Sequence, residues 1–425
     1  MNILVRRSTL AITVASLLAA CNAPSEAPTA PGTAAGPDGV GLETRPAEGA
    51  KYDYRPAFPG QTRAPALQTG TPLEVREVVR GFASPWAFAF LPDGRILVSE
   101  RAGSLRLVSL EGRLSAPFDG VPAVLFEGQG GLLDIALHPR FEDNNLVYFS
   151  YAEPREGGNG TALARARLVE SGGTPRLEGV EVLFRQQPTV QSGFHFGSRI
   201  VFDGQGHLYL SLGERALPVA REQSQDLAGH LGKVVRLNDD GSVPADNPFV
   251  GRAGARPEIW SYGHRNVQAA ALDAQGRLWT IEHGPRGGDE LNRPEAGRNY
   301  GWPVISYGIE YSGMKVGEGA TARPGMEQPV YYWDPVIAPS GLVFHSGKLV
   351  PEWRGDLFVG GLGSMKLVRL KLDGDRVTGE EWLLRDRNAR IRDVQEGPDG
   401  ALYVITDGPD AALLRIAPAE APAGV

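Results

Sequence analysis

One short unit recurs along this chain and restricts its fold more than any other feature. Each copy is a turn rich in Asp, Gly or Asn, followed by a strand of alternating apolar residues with β-branched and aromatic side chains. Most copies follow another apolar strand, and strong helical periodicity is hard to find. The six copies are PDGRILVSE from Pro92, EDNNLVYFSY from Glu142, DGQGHLYLSLGE from Asp203, DAQGRLWTIEHG from Asp273, WRGDLFVGGL from Trp353 and PDGALYVITDG from Pro398.

Six turn–strand units predict an all-β, six-bladed β-propeller that spans residues 72–418. A β-sandwich or a pair of barrels with similar hairpins is the alternative, but six recurrences of one unit favour the propeller. Propellers carry their sites at one end of the central channel, on loops from several blades. Functional residues should therefore be scattered along the sequence and lie close to turns.

The N-terminus has the pattern of an export signal. Arg6 and Arg7 precede an apolar stretch from Leu10 to Ala20, which is too short to span a bilayer as a mature helix. The ending LAAC places the chain's single cysteine, Cys21, in a lipobox-like context, whereas a plain signal peptide with a chance cysteine is the alternative. We therefore expect a lipoprotein signal over residues 1–21, a lipid anchor on Cys21 and an exported protein facing the periplasm or the cell exterior.

The segments outside the propeller have little apolar pattern. Residues 22–71 are rich in Pro, Ala, Gly, Ser and Thr, and this composition predicts a flexible tether. Residues 419–425 are expected to form a short tail. The formal net charge of −7 and the lack of a basic tract argue against nucleic acid as a partner.

The segment from Trp260 to Pro303 is unusually poor in bulky aliphatic residues and rich in polar groups. It contains His264-Arg265-Asn266, His283-Gly284-Pro285, Asp289-Glu290 and Asn299-Tyr300-Gly301-Trp302. Cations and amides suit an anionic ligand, while carboxylates and backbone carbonyls suit a hard cation. The segment therefore predicts the lining of a site for a polar, anionic ligand and a metal ion.

Further candidates lie outside this segment. Gln129 and His195 are on Gly-flanked turns that precede strands, and Glu214 ends a strand. Arg390 and Arg392 are two residues apart on an extended segment, which sends both guanidinium groups to the same side. His195, His264 and His283 all lie among Gly and polar residues, and Gly193 and Gly197 stand two residues to either side of His195. His195 ranks first because of these glycines and the family resemblance that follows.

The stretches of sequence around these candidates together resemble the soluble aldose sugar dehydrogenases that use pyrroloquinoline quinone, in the glucose/sorbosone dehydrogenase family. The resemblance extends from about Gly81 to Arg415 in family order. It implies a six-bladed propeller that oxidises aldoses to lactones with pyrroloquinoline quinone and Ca²⁺ and passes electrons to an unknown acceptor. The stretches are GQGGLLDIALHP, HFGSRIVFD, LGKVVRLNDDGSVPADNPF, WSYGHRNVQ, EHGPRGGDELN, NYGWPVISYGIEYSG and RIRDVQEGPDGALYVITD.

The resemblance also implies a role for each candidate. His195 matches the general base that takes the proton of the anomeric hydroxyl, and Glu214 matches the position of a carboxylate that orients it. The carbonyls of Gly284 and Pro285 match ligands of a Ca²⁺ that bridges to the cofactor, and Glu290 with the Tyr300 carbonyl matches a second Ca²⁺ site. Contacts to the cofactor are implied for Gln129, Arg265, Asn266, Arg390 and Arg392, and more weakly for Tyr311; Arg265 is also implied to stabilise negative charge on the reduced quinone.

The chain departs from the family pattern at two places. Gly363 stands where relatives often have a quinone-contacting lysine, with Lys366 three residues on, and Phe194 stands where glucose-specific relatives have an acid. The second departure favours the broad-specificity aldose dehydrogenases. Two other functions stay open from the residues alone: a metal-dependent lactonase on a similar propeller, and a propeller that binds a partner without catalysis.

Overall fold

Small antiparallel sheets dominate the computed structural model, which describes residues 54–118, 120–170 and 175–419. The described strands form six sheets, and the inner strands of successive sheets contact one another in a closed ring. This arrangement is a six-bladed β-propeller, so the fold predicted from the repeated unit is confirmed.

The strands are short, as the turn spacing predicted. In chain order they are β1 (Leu73–Phe82), β2 (Pro85–Phe90), β3 (Ile96–Glu100), β4 (Ser104–Val108), β5 (Leu132–Leu137), β6 (Leu146–Arg155), β7 (Gly158–Val169), β8 (Arg176–Arg185), β9 (Ile200–Phe202), β10 (His207–Leu212), β11 (Lys233–Asn238), β12 (Ile259–Tyr262), β13 (Val267–Leu272), β14 (Leu278–Glu282), β15 (Asp289–Asn292), β16 (Tyr331–Trp333), β17 (Pro339–Phe344), β18 (Leu357–Gly361), β19 (Leu367–Asp373), β20 (Arg376–Leu383), β21 (Ile391–Glu396), β22 (Leu402–Thr406) and β23 (Ala411–Pro418).

Helical structure in the described residues is limited to single turns. These are α1 (Phe141–Asn144), α2 (Pro218–Arg221) and two 3₁₀ turns, Glu222–Gln225 and Pro351–Trp353. Across the described ranges, no helix has the length and apolar character needed to cross a membrane.

Each blade is built from strands that follow one another in the chain, except the last. Blade 1 contains β2–β4, blade 2 β5–β8, blade 3 β9–β12, blade 4 β13–β16 and blade 5 β17–β20. Blade 6 contains β21–β23 and the N-terminal strand β1, which pairs with β23 from Leu73↔Pro418 to Phe82↔Ala411. The two ends of the domain therefore close the ring together. Each repeated unit of the sequence supplies the second strand of its blade.

Apolar side chains fill the junctions between most neighbouring blades. Buried clusters join blades 1 and 2, 2 and 3, 4 and 5, 5 and 6, and 6 and 1. Blades 3 and 4 are joined by hydrogen bonds: Ser211 Oγ donates to the Val267 carbonyl (3.0 Å) and Gly197 N to Asn266 Oδ1 (3.1 Å). The most polar junction is the one that carries most of the candidate site.

A buried ion cluster crosses the centre of the ring. Arg199 of blade 3 donates to Asp134 of blade 2 at 2.8 Å and to Asp393 of blade 6 at 3.3 Å. Its guanidinium also lies over the ring of Trp86 in blade 1, 4.6 Å from the ring centroid. Its Nε donates to the Gln268 carbonyl of blade 4 at 3.3 Å. One side chain thus connects five blades, and Asp393 is the direct neighbour of the candidate residue Arg392.

The predicted tether extends too far towards the propeller. Residues 54–71 lie against blades 4 and 5, and Gln61 and Ala64 are buried there. Ala64 N donates to Tyr331 Oη at 2.9 Å, and Thr69 Oγ1 donates to Glu381 at 2.6 Å. The segment is held by polar side chains, by backbone hydrogen bonds such as Leu67 N to the Glu380 carbonyl (2.8 Å), and by Ala64 in the apolar cluster of blades 4 and 5. It carries no apolar repeat, so its composition resembled that of a linker. The predicted signal peptide, Cys21 and residues 420–425 lie outside the described residues.

Candidate functional site

The clearest feature of the site is a buried His–Glu pair in blade 3. His195 lies on the loop that enters β9, and Glu214 follows the end of β10. His195 Nδ1 and Glu214 Oε1 are 2.5 Å apart, and both side chains are buried. Because an ionised carboxylate only accepts hydrogen bonds, Nδ1 carries the proton in that state and Nε2 keeps its lone pair. The arrangement leaves Nε2 as a base.

The backbone around His195 is fixed in an unusual conformation. His195 has a φ of +50°, a left-handed value that costs a non-glycine residue roughly 1–2 kcal/mol. Its N–H donates to Gln129 Oε1 at 2.8 Å. Gly213, just after β10, lets the backbone there pass close to the His195 turn, because a Cβ at this position would lie 2.0 Å from the His195 carbonyl oxygen. The surrounding packing therefore holds the His195 turn rigidly.

Burial shapes the protonation of the pair. Desolvation, followed by the nearby cations Arg265 and Arg215, lowers the pKa of His195 well below its ordinary value. Desolvation raises the pKa of Glu214 to about 7, with Arg265 opposing the rise. An imidazole that stays neutral and a carboxylate that ionises near pH 7 together form a proton acceptor at neutral pH.

Arg265 and Asn266 lie beside this pair on the loop between blades 3 and 4. Arg265 donates to the His283 carbonyl at 3.1 Å, and its guanidinium lies over the Trp302 ring, 5.2 Å from the centroid. Arg265 Nε, Asn266 Nδ2 and Trp302 Nε1 are buried donors with no hydrogen-bond acceptor among the described residues. Such donors are costly to bury unless a ligand uses them. They suit a ligand with several acceptor oxygens.

Arg390 and Arg392 reach the same carboxylate, so both face one side of the chain as the sequence predicted. Arg390 Nε donates to Asp407 Oδ2 at 2.9 Å, and Arg392 donates to Asp407 Oδ1 at 3.4 Å. Arg392 is buried and Arg390 is half exposed. Desolvation lowers the pKa of Arg392, and the two guanidinium groups hold the pKa of Asp407 below its ordinary value. Two cations sharing one carboxylate leave positive charge for an anionic ligand.

A small cavity gathers the four residues that were predicted to bind ions. Gly284, Pro285, Glu290 and Tyr300 all line a cavity of about 10 Å³, room for one water-sized particle. The family resemblance implied two ion sites for them, whereas in the structure all four line the same cavity. Within the described chain, the carbonyl oxygens of Gly284, Pro285 and Tyr300 accept no hydrogen bond.

Two carboxylates meet at this cavity. Asn292 Nδ2 donates to both Glu282 Oε1 and Glu290 Oε2 at 3.1 Å. Burial and the neighbouring Glu282 carboxylate raise the pKa of Glu290 well above its ordinary value. No group of three or more His, Cys, Asp or Glu side chains is arranged as a metal site in the described ranges. The donors are carbonyl oxygens and carboxylates, an oxygen set that fits Ca²⁺.

Asp289 fixes the turn that presents these carbonyls. It accepts hydrogen bonds from Gly284 N (2.8 Å), Ile337 N (2.8 Å) and Ala338 N (2.7 Å) and is fully buried. Gly284 can be only glycine, because a Cβ there would lie 2.3 Å from the Gly287 and Gly288 carbonyl oxygens. Taken without the rest of the polar segment, Asp289 and Glu290 would be predicted to lie on a solvated turn, whereas Asp289 is buried.

Other candidates take lesser places. Tyr311 is 74% exposed on the loop after Tyr300, and Lys366 Nζ donates to the Arg385 carbonyl at 3.4 Å. His283 Nε2–H donates to the Pro339 carbonyl at 2.7 Å, and burial lowers its pKa to about 3. His264 is fully buried between Ser261 and Glu282. Both imidazoles are engaged in hydrogen bonds within the protein, so the two histidines that the sequence placed in the site segment serve to hold its structure.

Sequence reasoning missed several residues that organise the site. Glu282 accepts from Arg265 N at 2.6 Å and from His264, and its position next to His283 was the available signal. Arg101 donates to the Gly128 and Gly130 carbonyls and so braces the turn of Gln129. Asp407, in the sequence ITDG, joins the two arginines.

Comparisons with known proteins match most of the described propeller. The family model for glucose/sorbosone dehydrogenases matches residues 82–415. Aldose sugar dehydrogenase YliI of Escherichia coli (strain K12) is 46% identical over 338 residues, covering 79% of this chain and 90% of the relative.

Solved structures show the same similarity. The apo-form of the soluble aldose sugar dehydrogenase from Escherichia coli has a TM-score of 0.78 at 44% identity, covering 82% of this chain and 100% of that one. The PQQ-bound form of aldose sugar dehydrogenase from Streptomyces coelicolor has a TM-score of 0.68 at 30% identity, covering 82% and 99%.

Proposed function

This chain belongs to the glucose/sorbosone dehydrogenase family, as its motifs indicated, and we propose that it is a quinoprotein that oxidises aldose sugars at the anomeric carbon to lactones. The observation that carries the proposal is the buried His195–Glu214 pair, 2.5 Å apart, beside buried donors that have no acceptor among the described residues. Similarity to an aldose sugar dehydrogenase with PQQ bound supports the choice of cofactor.

His195 is the general base of the proposed reaction. Its Nε2 takes the proton of the anomeric hydroxyl, while the Nδ1–H group keeps donating its hydrogen bond to Glu214. Glu214 keeps Nε2 unprotonated before the reaction and stabilises the imidazolium afterwards, as a carboxylate does for a catalytic histidine in other enzymes. Base catalysis by a positioned side chain contributes roughly 10²- to 10⁴-fold in rate.

The residues around the pair fit pyrroloquinoline quinone. When bound, it supplies the acceptor for the hydride that leaves the anomeric carbon. Its carboxylate and quinone oxygens would be held by Arg265, Asn266, Arg390 and Arg392. Arg390 and Arg392 are two cations that share one carboxylate, and Arg265 Nε and Asn266 Nδ2 are buried donors without an acceptor among the described residues. Arg265 also stabilises negative charge that develops beside its guanidinium. Gln129 keeps its amide NH₂ for a ligand, since its Oε1 holds His195 N.

Ca²⁺ is the second proposed cofactor. The free carbonyls of Gly284, Pro285 and Tyr300, together with Glu290, would hold it with oxygen ligands only. A cation in this cavity also favours the ionised form of Glu290, which burial and the neighbouring Glu282 carboxylate otherwise disfavour.

Export and a lipid anchor on Cys21 complete the proposal. The support is the N-terminal pattern of Arg6-Arg7, a short apolar stretch and LAAC. An anchored enzyme of this kind passes its electrons to an acceptor outside the cytoplasm, whose identity is open. Metabolic labelling with a radioactive fatty acid tests the anchor: wild type becomes labelled and Cys21→Ala does not, while label on Cys21→Ala contradicts it.

The enzymatic proposal is tested by reconstitution. Purified protein is mixed with pyrroloquinoline quinone and Ca²⁺ and assayed with aldoses and an artificial electron acceptor. Aldose oxidation is expected from wild type, and His195→Ala should lose roughly 10²- to 10⁴-fold in kcat while binding the cofactor. His207→Ala is the matched control, because His207 lies in a hairpin of the same blade and bonds to Asp203. A loaded wild-type protein without aldose oxidation contradicts the function; undiminished kcat in His195→Ala contradicts the base.

A further inference from the structure

Arg215, which directly follows Glu214, is a buried cation that no step above uses. Its side chain is 0% exposed, and it forms no ion pair with a carboxylate in the described part of the chain. Its backbone φ is +74°, another left-handed value for a non-glycine residue. Burying an unpaired charge and straining the backbone are both unfavourable, and such features persist where the surrounding structure requires them.

The guanidinium contacts the His195 turn on both sides of the histidine. Nε donates to the Phe194 carbonyl at 2.9 Å and Nη2 to the Ser192 carbonyl at 2.6 Å. Its plane lies against the ring of Phe196, with Cζ 3.8 Å from the centroid. Residues 192, 194 and 196 are therefore all held by one side chain.

The contact is reciprocal and is tied to a neighbouring blade. Ser192 Oγ donates to the Arg215 carbonyl at 2.5 Å, so the turn also holds the backbone of Arg215. Nη2 further donates to Asn159 Oδ1 at 2.6 Å, on β7 of blade 2. The Glu214–Arg215 segment thus holds both ends of the catalytic arrangement: Glu214 bonds the imidazole, and Arg215 bonds the backbone that carries it.

We infer that Arg215 is a positioning residue for the proposed base: its forked guanidinium holds residues 192–196 in the left-handed turn that keeps His195 Nδ1 on Glu214. Lysine cannot replace it, because an ammonium has neither the planar fork nor the flat face that contacts Phe196. Burial without an ion pair follows from the same task, since a carboxylate on Arg215 would compete with the two carbonyls. This role rests on the proposed function of His195.

The first test needs no cofactor and no turnover. In protein labelled with ¹⁵N-histidine, a proton held between His195 Nδ1 and Glu214 over 2.5 Å gives a strongly downfield signal. Glu214→Gln and His195→Ala assign the signal by removing it. Arg215→Met and Arg215→Lys are expected to lose it or move it upfield, and Asn159→Ala to shift it partially. An unchanged signal in Arg215→Met overturns the inference.

Steady-state kinetics on the reconstituted enzyme give the second readout. Arg215→Lys and Arg215→Met are expected to lose at least about tenfold in kcat, while their Kd for pyrroloquinoline quinone stays within about threefold of wild type. Arg236→Met is the matched control: Arg236 is also a buried arginine over an aromatic ring (Trp260, 5.1 Å), but it pairs with Asp246. The control should keep both the signal and kcat even if it loses stability.

The outcomes separate the two proposals. Wild type that shows the downfield signal but oxidises no aldose overturns the proposed function and leaves the effect of Arg215 on the signal measurable. If Arg215→Met does not fold, Arg215→Lys and Asn159→Ala decide. Equal loss of kcat in Arg236→Met and Arg215→Lys would show a general stability effect and overturn positioning.

Discussion

Glu214→Gln is expected to make the protein more stable and less active. The ionised carboxylate of Glu214 favours the tautomer of His195 that leaves Nε2, the proposed base, unprotonated. A glutamine can donate its NH₂ to Nδ1, which favours the tautomer that carries its proton on Nε2 and so blocks base catalysis. We expect kcat to fall roughly 10²- to 10⁴-fold, the range that a positioned acid–base group contributes.

The stability change has the opposite sign. Burial raises the pKa of Glu214 from 4.5 to about 7, so ionised Glu214 is less favourable in the folded protein than in the unfolded chain. Each pKa unit corresponds to about 1.4 kcal/mol, and the ionised carboxylate therefore costs up to about 3 kcal/mol. The cost is absent below pH 4.5, grows as the pH rises towards 7 and is constant above it. A neutral glutamine avoids it.

Two measurements test this prediction. Denaturant unfolding of the cofactor-free variant and wild type at pH 8 and pH 4.5 should show the variant more stable at pH 8 and the two similar at pH 4.5. Kinetics with an aldose and saturating cofactors give kcat. A variant with kcat within threefold of wild type would refute the orienting role of Glu214, and a variant less stable than wild type at pH 8 would refute the burial argument.

Three further predictions concern pH, the cation and the N-terminal segment. Because the pair must lose its extra proton to act as a base, kcat should fall about tenfold per pH unit below pH 7, and a pH-independent kcat from pH 5 to 8 would contradict this. Glu290→Gln should weaken Ca²⁺ binding to the cofactor-free protein by at least about tenfold in isothermal titration; unchanged affinity would remove Glu290 from the site. Thr69→Val removes hydrogen bonds to Glu381 and Arg369 and leaves the buried Trp353 Nε1 without its acceptor, so it should cost about 1–3 kcal/mol in denaturant unfolding with kcat unchanged; wild-type stability would show the segment to be a tether.

The fold could be predicted largely because one strand of each blade has a strong local signal. The second strand follows a tight turn and is flanked by strands on both sides, so its apolar pattern and turn residues stand out, as in β10 and β22. The closure of blade 6 could not be predicted in this way, because β1 and β23 are at opposite ends of the chain. The same limit applies to residues 54–71, which carry no apolar repeat and contact distant strands through single side chains and backbone hydrogen bonds.

In the site, too, residues with a local sequence signal could be predicted, and residues whose role depends on contacts between distant parts of the chain could not. Residues with a chemical signature next to Gly or Pro, such as His195 and Gly284, could be identified from the sequence, and the structure places them with Glu214 and Arg265 around one region. Arg215 could not be identified, since an isolated arginine after a strand is ordinarily exposed, and its burial depends on carbonyls of the His195 turn. The convergence of Glu290 and Gly284 on one cavity likewise depends on folding.

The most direct test of the central claim is an anaerobic absorption spectrum of the purified protein loaded with one equivalent of pyrroloquinoline quinone and Ca²⁺. If the protein is a quinoprotein aldose dehydrogenase with His195 as base, an aldose abolishes the absorption of the oxidised quinone within one turnover and lactone forms in equal amount. His195→Ala is expected to slow the change by roughly 10² or more. Bound quinone whose spectrum stays unchanged with saturating aldose would contradict the proposed function.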